Sequence, residues 1–254
     1  MKVGLNLYSI RGLLGTEEGF TETAIKLKEM GYDFLQFSGM PFDIEMIKRV
    51  MEKSGLPIVL THVPEDRIVG DTDKLVEEHL SIGCYNIGLG MLPWQVSANK
   101  DEFKDRINKL NQAGKKIKDK GLKFFYHNHH FEFVKHDGQT VFDYMIENAP
   151  YINFTADTYW LQYAGVSITE YFKKLKGRIE CIHLKDYLIV IDPEKGPIPA
   201  YVPVGKGNIN FKSVIKSAKK AGVKYFIVEQ DDASEKEDPL EEVRFSVEYL
   251  KNNF

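Results

Sequence analysis

Acidic, imidazole and amine side chains recur at the ends of short apolar runs in this sequence. The run ends are Leu60-Thr61-His62, Tyr126-His127-Asn128-His129, Phe154-Thr155-Ala156-Asp157, His183-Leu184-Lys185 and Ile227-Val228-Glu229. Carboxylate oxygens and imidazole nitrogens together suit Mn²⁺, Mg²⁺, Co²⁺ or Zn²⁺ as ligands. If the fold brings these ends into one ring, the sequence predicts a site for one divalent metal ion that polarises neighbouring oxygens of a small molecule.

A purely structural interpretation of these side chains is the alternative. A lone histidine at a strand end, such as His62, is often only hydrogen-bonded, and Asp157 and Glu229 could be buried charges that pair with Lys185. Such pairing does not require an acid or an imidazole on each of four successive runs. The set as a whole therefore favours a site, although each member alone is weak evidence.

His127 and His129 are two residues apart, so both side chains face the same side of an extended segment. Asn128 and His130 then face the opposite side. His127 and His129 are therefore the inward-facing candidates of this segment.

Eight β-rich runs alternate with amphipathic stretches along the chain. The predicted strands are Val3–Ser9, Phe34–Gly39, Ile58–Val63, Asn86–Gly90, Lys123–His129, Asn153–Tyr159, Ile179–Asp186 and Lys224–Asp231. Several helical stretches end at a glycine that a strand follows within a few residues, as at Gly31 and Gly222. Eight such units predict one α/β domain over residues 1–254, a (β/α)8 TIM barrel, with a doubly wound open sheet as the alternative. We expect the irregular stretch Leu188–Gly207 to form a long loop after the seventh strand.

Composition and charge exclude several classes of protein. The 254 residues include 34 Lys+Arg and 37 Asp+Glu, a formal net charge of −3, whereas a dedicated nucleic-acid binder usually shows a basic excess. Cys84 and Cys181 are too few for a disulfide framework and lack the spacing of a structural zinc site. No apolar run approaches the roughly 20 residues of a membrane span, and the N-terminus lacks a signal-peptide pattern. We therefore expect a cytoplasmic protein without membrane or nucleic-acid partners.

Five segments, in this order along the chain, resemble the motifs of a known family. They are Tyr126-His127-Asn128-His129-His130-Phe131-Glu132-Phe133, Asp157-Thr158-Tyr159-Trp160, His183-Leu184-Lys185-Asp186, Pro203-Val204-Gly205-Lys206-Gly207-Asn208-Ile209-Asn210-Phe211 and Val228-Glu229-Gln230-Asp231. Over nearly its whole length the chain resembles the xylose isomerase-like TIM barrels. That family includes sugar phosphate isomerases and epimerases, inosose dehydratases and enzymes of the AP endonuclease type 2 fold.

The resemblance implies one divalent metal ion bound by Glu, Asp, His and Glu from the last four strands. Three positions match directly, namely Asp157, His183 and Glu229. Many relatives have a glutamate where this chain has His127, whereas the variety with the YHNHxxEF pattern has its glutamate just after the strand, here Glu132. We expect Glu132 to be the fourth ligand, with His127 or His129 in its place if that expectation fails.

The resemblance also implies a reaction, namely proton removal from a carbon next to a carbonyl, with an enediolate as the intermediate. His127, His129 and Glu229 are the candidate catalytic bases for this step, and an imidazole, whose unperturbed pKa is about 6.5, suits a base that works at neutral pH. Return of the proton gives an isomer or an epimer, and we expect an isomerase or epimerase of a sugar or keto-sugar. If a β-hydroxyl leaves instead, the enzyme is a dehydratase of the inosose or 3-keto-sugar type. Lys185 is expected to hold a substrate oxygen, Trp160 to form an apolar wall against a sugar face, and His62 to contact the substrate.

Two further hypotheses come from other functional classes. An AP endonuclease-like phosphodiesterase would need several metal ions and a basic face for DNA, which the net charge of −3 does not favour. A non-catalytic binding barrel would not need acids and imidazoles at four successive strand ends. The expected partner is a small carbohydrate or polyol, and the resemblance makes a homo-oligomer plausible. Gly205-Lys206-Gly207 is interpreted as a tight loop and not as a phosphate site, because a lone GxG is weak evidence.

Overall fold

Eight parallel strands close into a barrel in the computed structural model, which describes residues 1–254. The strands are β1 (Val3–Asn6), β2 (Phe34–Phe37), β3 (Ile58–His62), β4 (Asn86–Leu89), β5 (Lys123–His127), β6 (Ile152–Asp157), β7 (Cys181–Leu184) and β8 (Tyr225–Val228). Each strand pairs with its neighbours in the chain, and β8 pairs with β1. The structure therefore confirms the predicted α/β TIM barrel and excludes the open sheet.

Helices connect the strands on the outside of the barrel. They are α1 (Glu17–Glu29), α2 (Ile44–Ser54), α3 (Glu65–Gly70), α4 (Thr72–Ser81), α5 (Trp94–Ala98), α6 (Lys100–Asp119), α7 (Val141–Asn148), α8 (Thr158–Tyr163), α9 (Ile168–Lys174), α10 (Phe211–Ala221) and α11 (Pro239–Asn253). Three short 3-10 helices cover Leu7–Leu13, Phe131–Phe133 and Ala233–Glu235. None of these helices combines the length and the apolar character that crossing a membrane would need.

The long helix α6 illustrates why these sequences form helices on the barrel surface. The side chain of Asn99 accepts hydrogen bonds from two backbone N–H groups of the first turn, which would otherwise lack a partner. Phe103, Ile107, Leu110 and Ile117 recur at helical spacing and are buried against the sheet. The apolar face therefore fixes the helix on the barrel and leaves the lysine-rich face in solvent.

A small apolar cluster fills the barrel interior and forms the floor of the site. Its buried members are Phe34, Leu60, Phe125, Cys181 and Ile227, one from each of five strands. Successive inward positions on a strand are two residues apart. Two residues beyond these five stand Gln36, His62, His127 and His183 on their strands and Glu229 directly after β8. The period-two pattern therefore places the polar layer at the carboxyl end of the barrel, directly above its apolar floor.

The prediction of an irregular loop over Leu188–Gly207 was wrong for most of that stretch. Strand Asp186–Asp192 pairs antiparallel with strand Gly196–Val202 to form a hairpin after β7. Apolar residues on both arms favour the extended conformation, and Gly196 adopts a positive φ of 73° where the turn closes. A second, shorter hairpin pairs Lys135–His136 with Gln139–Thr140 after β5.

Candidate metal centre

Four side chains from the ends of β5, β6, β7 and β8 converge at the carboxyl end of the barrel. They are His127, Asp157, His183 and Glu229, each of which offers one ligand atom, and these atoms all lie within 4.8 Å of one another. All four residues are buried. A buried cluster of two imidazoles and two carboxylates could hold a metal ion, because carboxylates and imidazoles in mixed shells suit divalent cations.

The distances show how tightly the four groups approach. His183 Nδ1 lies 2.8 Å from Glu229 Oε2 and 3.9 Å from Asp157 Oδ2. His127 Nε2 lies 3.4 Å from Asp157 Oδ2 and 4.0 Å from Glu229 Oε2. Despite these short separations, His183 Nδ1 and Glu229 Oε2 are buried and make no well-directed hydrogen bond. An imidazole nitrogen and a carboxylate oxygen that face each other without a directed hydrogen bond between them fit a cation that both of them ligate.

The orientation of the His127 ring also fits a ligand role for its Nε2 atom. Its Nδ1 lies 2.9 Å from the carbonyl oxygen of Gly90, so the neutral ring donates its Nδ1–H there. Nε2 faces Asp157 and Glu229, so a protonated ring can donate Nε2–H to Asp157, and a neutral ring can offer the Nε2 lone pair to a metal ion. Histidine ligands of metal ions generally donate their other N–H to a carbonyl or a carboxylate, which fixes the ring. The residues present therefore fit a divalent metal ion.

Lys185 already places one positive charge at these carboxylates. Its side chain is 1% exposed, and Nζ lies 2.8 Å from Glu229 Oε2, 3.2 Å from Asp157 Oδ2 and 2.9 Å from Asp231 Oδ1. Burial alone would lower the pKa of Lys185, but the charges of Asp157, Glu229 and Asp231 outweigh burial and raise it well above its ordinary value. The ammonium group is therefore charged, and it contacts two carboxylate oxygens that are also candidate metal ligands, one of Asp157 and one of Glu229.

Charge interactions also decide the protonation of the remaining groups. Burial would raise the pKa of Glu229, yet the neighbouring His183 and Lys185 hold it well below its ordinary value, so the carboxylate is ionised. Burial lowers the pKa of His183, although Glu229 opposes this effect. For His127, burial acts in the same direction, but the hydrogen bond to Asp157 and the charge of Glu229 overcome it and raise the pKa.

A cleft of about 250 Å³ opens above the cluster. Its lining includes the predicted residues His62, His127, His129, Lys185 and Glu229, and in addition Tyr8, Ser38, Gly90, Met91 and Asp231. The ring of His129 packs edge-on against His127, with 4.7 Å between the ring centroids. The Trp160 ring contacts His129 at 5.2 Å and Lys185 Nζ at 5.3 Å. The structure thus brings these predicted catalytic and substrate-binding residues to one place.

Glu132 is the predicted site residue that the structure does not bring into the cluster. Its side chain is buried, and it accepts hydrogen bonds from the Tyr126 hydroxyl (2.7 Å) and from the backbone N–H of His129 (2.8 Å). Glu132 lies in the short 3-10 helix Phe131–Phe133 that follows β5, and its carboxylate is not part of the metal-capable group. His127, the alternative in the sequence-based expectation, takes the fourth place in the group, and Glu132 instead supports the segment that carries His129.

The protonation of Glu132 gives a test of this position. Burial raises its pKa from 4.5 to about 7, although hydrogen bonds from Tyr126 and His129 oppose the effect. The folded state therefore binds this proton more tightly than the unfolded state, so the contribution of Glu132 to stability is fully present below pH 4.5 and is lost as the pH rises through about 7. We expect Glu132→Gln to remove roughly 3 kcal/mol of this pH dependence, measured by urea unfolding between pH 4.5 and 7.5.

Surface Glu22→Gln is the control for that experiment, since Glu22 is exposed. It should leave the pH dependence of unfolding unchanged. Identical pH profiles for wild type and Glu132→Gln would show that the Glu132 carboxyl is not the buried titrating group.

Sequence reasoning missed two buried amides of the site, Asn6 and Gln36. Asn6 ends β1 and donates its side-chain N–H to Glu229 Oε1 at 2.5 Å. Gln36 lies on β2, where its Oε1 is 2.8 Å from His183 Nε2 and its Nε2 is 3.0 Å from His62 Nε2. Each is a polar residue at an inward position of an apolar strand, and that was the available signal. Neutral amides are weak indicators of chemistry, so only their contacts identify them.

Comparison with known proteins places this geometry in a family. Residues 25–253 match the family model described as xylose isomerase-like TIM barrel. The chain belongs to this family. Among curated relatives, the inosose dehydratase of Clostridium perfringens (strain 13 / Type A) is 28% identical over 279 residues, covering 94% of this chain and 91% of the relative. The inosose dehydratase of Clostridium botulinum (strain Alaska E43 / Type E3) is 29% identical, with the same coverage.

Solved structures of the xylose isomerase-like fold agree with the barrel. A sugar phosphate isomerase/epimerase from Parabacteroides distasonis ATCC 8503 superposes with a TM-score of 0.82 at 21% identity, covering 99% of this chain and 94% of that one. A xylose isomerase-like TIM barrel protein from Mycobacterium smegmatis, solved in complex with magnesium, has a TM-score of 0.71 at 16% identity, with 99% and 95% coverage. At these identities the likeness establishes the fold, and the curated relatives support a carbohydrate-modifying enzyme.

Proposed function

We propose that this xylose isomerase-like protein is a divalent-metal-dependent isomerase or epimerase of a sugar or keto-sugar. The observation that carries the proposal is the buried group of His127, Asp157, His183 and Glu229 beneath an open cleft. These four residues would hold the metal ion in place of the set that includes Glu132. When bound, the ion would supply Lewis-acid polarisation of a carbonyl and an adjacent hydroxyl of the substrate.

Proton transfer next to the carbonyl needs an unprotonated group that faces the cleft. Burial, together with the charges of His127 and Lys185, lowers the pKa of His129 well below its ordinary value, so its ring is neutral near pH 7. Its Nδ1 is buried without a hydrogen-bond partner and is free to accept a proton. Glu229 is ionised and lines the same cleft. We assign proton removal and return to His129 and Glu229, with His127 as an alternative.

Dehydration is the second candidate, and the sequence relatives favour it. Four curated relatives that match this chain are named inosose dehydratase. In that outcome the proton leaves the carbon beside the carbonyl, and a hydroxyl on the next carbon departs as water after it takes up a proton. The same side chains serve both outcomes, since both begin with the same proton removal. An AP endonuclease-like reaction has less support, because only one metal-capable group is present.

The cleft favours an uncharged substrate over a sugar phosphate. Lys185 is the only lysine or arginine among the lining residues, and three carboxylates already surround its ammonium group. The carboxylate of Asp231 also lines the cleft and would repel a phosphate. A phosphate group would therefore find no free cation at this surface.

Deuterium exchange from D₂O tests the proposed reaction directly. We expect protein loaded with Mn²⁺, Co²⁺ or Mg²⁺ to exchange the proton next to the carbonyl of an uncharged keto-sugar or an inosose. A phosphorylated counterpart should react at least about tenfold more slowly, which corresponds to 1.4 kcal/mol. NMR separates the outcomes, because an isomer or epimer keeps every oxygen of the substrate, whereas a dehydration product has lost one hydroxyl group as water.

Removal of the metal ion with a chelator is the control, and it should abolish exchange. If metal-loaded protein binds about one ion per chain but exchanges no proton in any keto-sugar or inosose, the proposed reaction is wrong. A preference for the phosphorylated compounds would overturn the argument from the charge of the cleft.

A further inference from the structure

Gln36 joins two imidazoles with different surroundings, namely His183 of the metal-capable group and His62 in the lining of the cleft. The residue interrupts the apolar strand Phe34–Phe37, and its side chain is fully buried. Its amide oxygen lies 2.8 Å from His183 Nε2, and its amide nitrogen lies 3.0 Å from His62 Nε2. A primary amide has one accepting end and one donating end, so Nε2 of one ring must donate a hydrogen bond to it and Nε2 of the other ring must accept one.

The chemistry of the amide fixes the proton on each ring. His183 must donate its Nε2–H to the oxygen of Gln36, which leaves Nδ1 without a proton. His62 must accept the N–H of Gln36 at Nε2, so a neutral His62 carries its proton on Nδ1. We infer that Gln36 is a positioning residue that sets both tautomers at once. It directs the His183 Nδ1 lone pair at Asp157 and Glu229, and it makes His62 a fixed N–H donor to a substrate oxygen.

The surroundings of His183 decide the orientation of the amide. A reversed amide would donate to His183 Nε2 and force the proton onto Nδ1. That atom lies 2.8 Å from Glu229 Oε2, yet it makes no well-directed hydrogen bond there. An Nδ1–H would occupy the position that a cation needs, whereas a bare Nδ1 facing two carboxylates leaves that position open.

The surroundings of His62 decide where its proton points. The ring lies against Gly88 and Gly90 of the β4 segment, and a Cβ atom at Gly90 would come within 3.0 Å of His62 Nδ1. A Cβ atom at Gly88 would come within 2.9 Å of His62 Cδ2. The two glycines therefore make room for the ring, which lines the cleft. Nδ1 has no hydrogen-bond partner within the protein, so its N–H is available to a carbonyl or hydroxyl oxygen of a bound keto-sugar.

Nitrogen-15 NMR of the histidine rings tests this inference without any activity measurement. Long-range correlations between ring protons and ring nitrogens distinguish Nδ1–H from Nε2–H. We expect Nε2–H for His183 and Nδ1–H for His62, both in metal-free and in Mg²⁺-loaded protein. Spectra of His62→Asn and His183→Asn variants assign the signals. Finding Nδ1–H on His183, or Nε2–H on His62, in the wild-type protein would overturn the inference.

Two substitutions separate the accepting end of the amide from its donating end. Gln36→Leu removes both ends, so the tautomers of both rings should mix and Mn²⁺ affinity should fall by about 10–100-fold. Gln36→Glu keeps an acceptor for His183, so Mn²⁺ should bind within a few-fold of wild type. His62 should then move its proton to Nε2 to meet the carboxylate, and KM should rise at full metal occupancy while His183 keeps its tautomer.

Asn86→Leu is the matched control, because Asn86 is a buried amide that hydrogen-bonds the Val59 carbonyl, outside the metal-capable group. It should leave both tautomers and Mn²⁺ affinity unchanged. Unaltered histidine spectra in Gln36→Leu and Gln36→Glu would refute the positioning role.

The inference rests on the proposed function only for the task of each ring. If the rings show the expected tautomers but the protein exchanges no substrate proton, the proposed function is wrong and the inference about Gln36 stands. If the protein exchanges the proton but the rings show other tautomers, the inference is wrong and the proposed function stands.

Discussion

Glu229→Gln is expected to slow metal-dependent proton exchange by about 10³-fold, within the range attributed to a positioned acid or base. The substitution removes one candidate ligand and one candidate base together. The glutamine can still accept the hydrogen bond from Asn6, so the fold should survive. Its amide nitrogen, however, would point an N–H group at the metal position beside His183 Nδ1. Mn²⁺ binding should therefore weaken by at least about tenfold.

Elemental analysis and exchange rates measured on the same samples check this expectation. Glu235→Gln is the matched control, because Glu235 is an exposed carboxylate that pairs with Arg11 on the surface. The control should keep about one ion per chain and the wild-type rate. A Glu229→Gln protein with unchanged metal content and unchanged exchange would exclude Glu229 from both proposed tasks.

Lys185→Met is expected to destabilise the metal-free protein by about 3–5 kcal/mol, the range observed when one partner of a buried ion pair is removed. The ammonium group is the nearest positive charge to Asp157, Glu229 and Asp231. Without it, three carboxylates would share a buried site with only imidazoles beside them. Methionine has nearly the same length as lysine, so the loss of stability reflects removal of the charge and not creation of a cavity.

A divalent ion should restore much of this loss, because it would bind the Asp157 and Glu229 oxygens that Lys185 now contacts. We therefore expect Mn²⁺ to raise the melting temperature of Lys185→Met by more than it raises that of wild type. Thermal unfolding with and without Mn²⁺ measures both effects. Lys224→Met, which removes an exposed partner of Glu180, is the control and should unfold like wild type. If Mn²⁺ raises the melting temperatures of wild type and Lys185→Met equally, the ion and the Lys185 ammonium group do not share the same carboxylate oxygens.

The donor set that we propose differs from the one that the family resemblance implied. His127 replaces a carboxylate, so the group has two imidazole nitrogens and two carboxylate oxygens. The prediction of Glu132 rested on its place in the YHNHxxEF pattern, which is local. The residue is five positions beyond His127, after the strand has ended, and the chain there turns into a 3-10 helix. A motif fixes the order of residues along the chain, but the direction of a side chain after a strand depends on the turn.

The sequence by itself determined the barrel and most members of the polar layer. All eight strands lie where alternation and glycine-terminated helices predict them, although each ends one to three residues earlier than expected. Inward positions repeat every two residues, so an apolar residue such as Ile227 predicts the face that Glu229 shares. This local rule is sufficient to locate the polar layer, because that layer consists of inward-facing positions at the ends of strands. It also explains why His127, Asp157, His183 and Glu229 could be found from the sequence.

Only the tertiary structure decided how the layer is connected. Closure of β8 onto β1 places Asn6 against Glu229, which are 223 positions apart in the chain. Gln36 meets His183 across 147 positions, and Lys185 meets three carboxylates from β6 and from the segment after β8. These contacts depend on the stagger of the strands and on where each side chain ends, to within a few tenths of an ångström. No spacing along one chain encodes such distances, because they arise when eight separate strand ends meet around one axis.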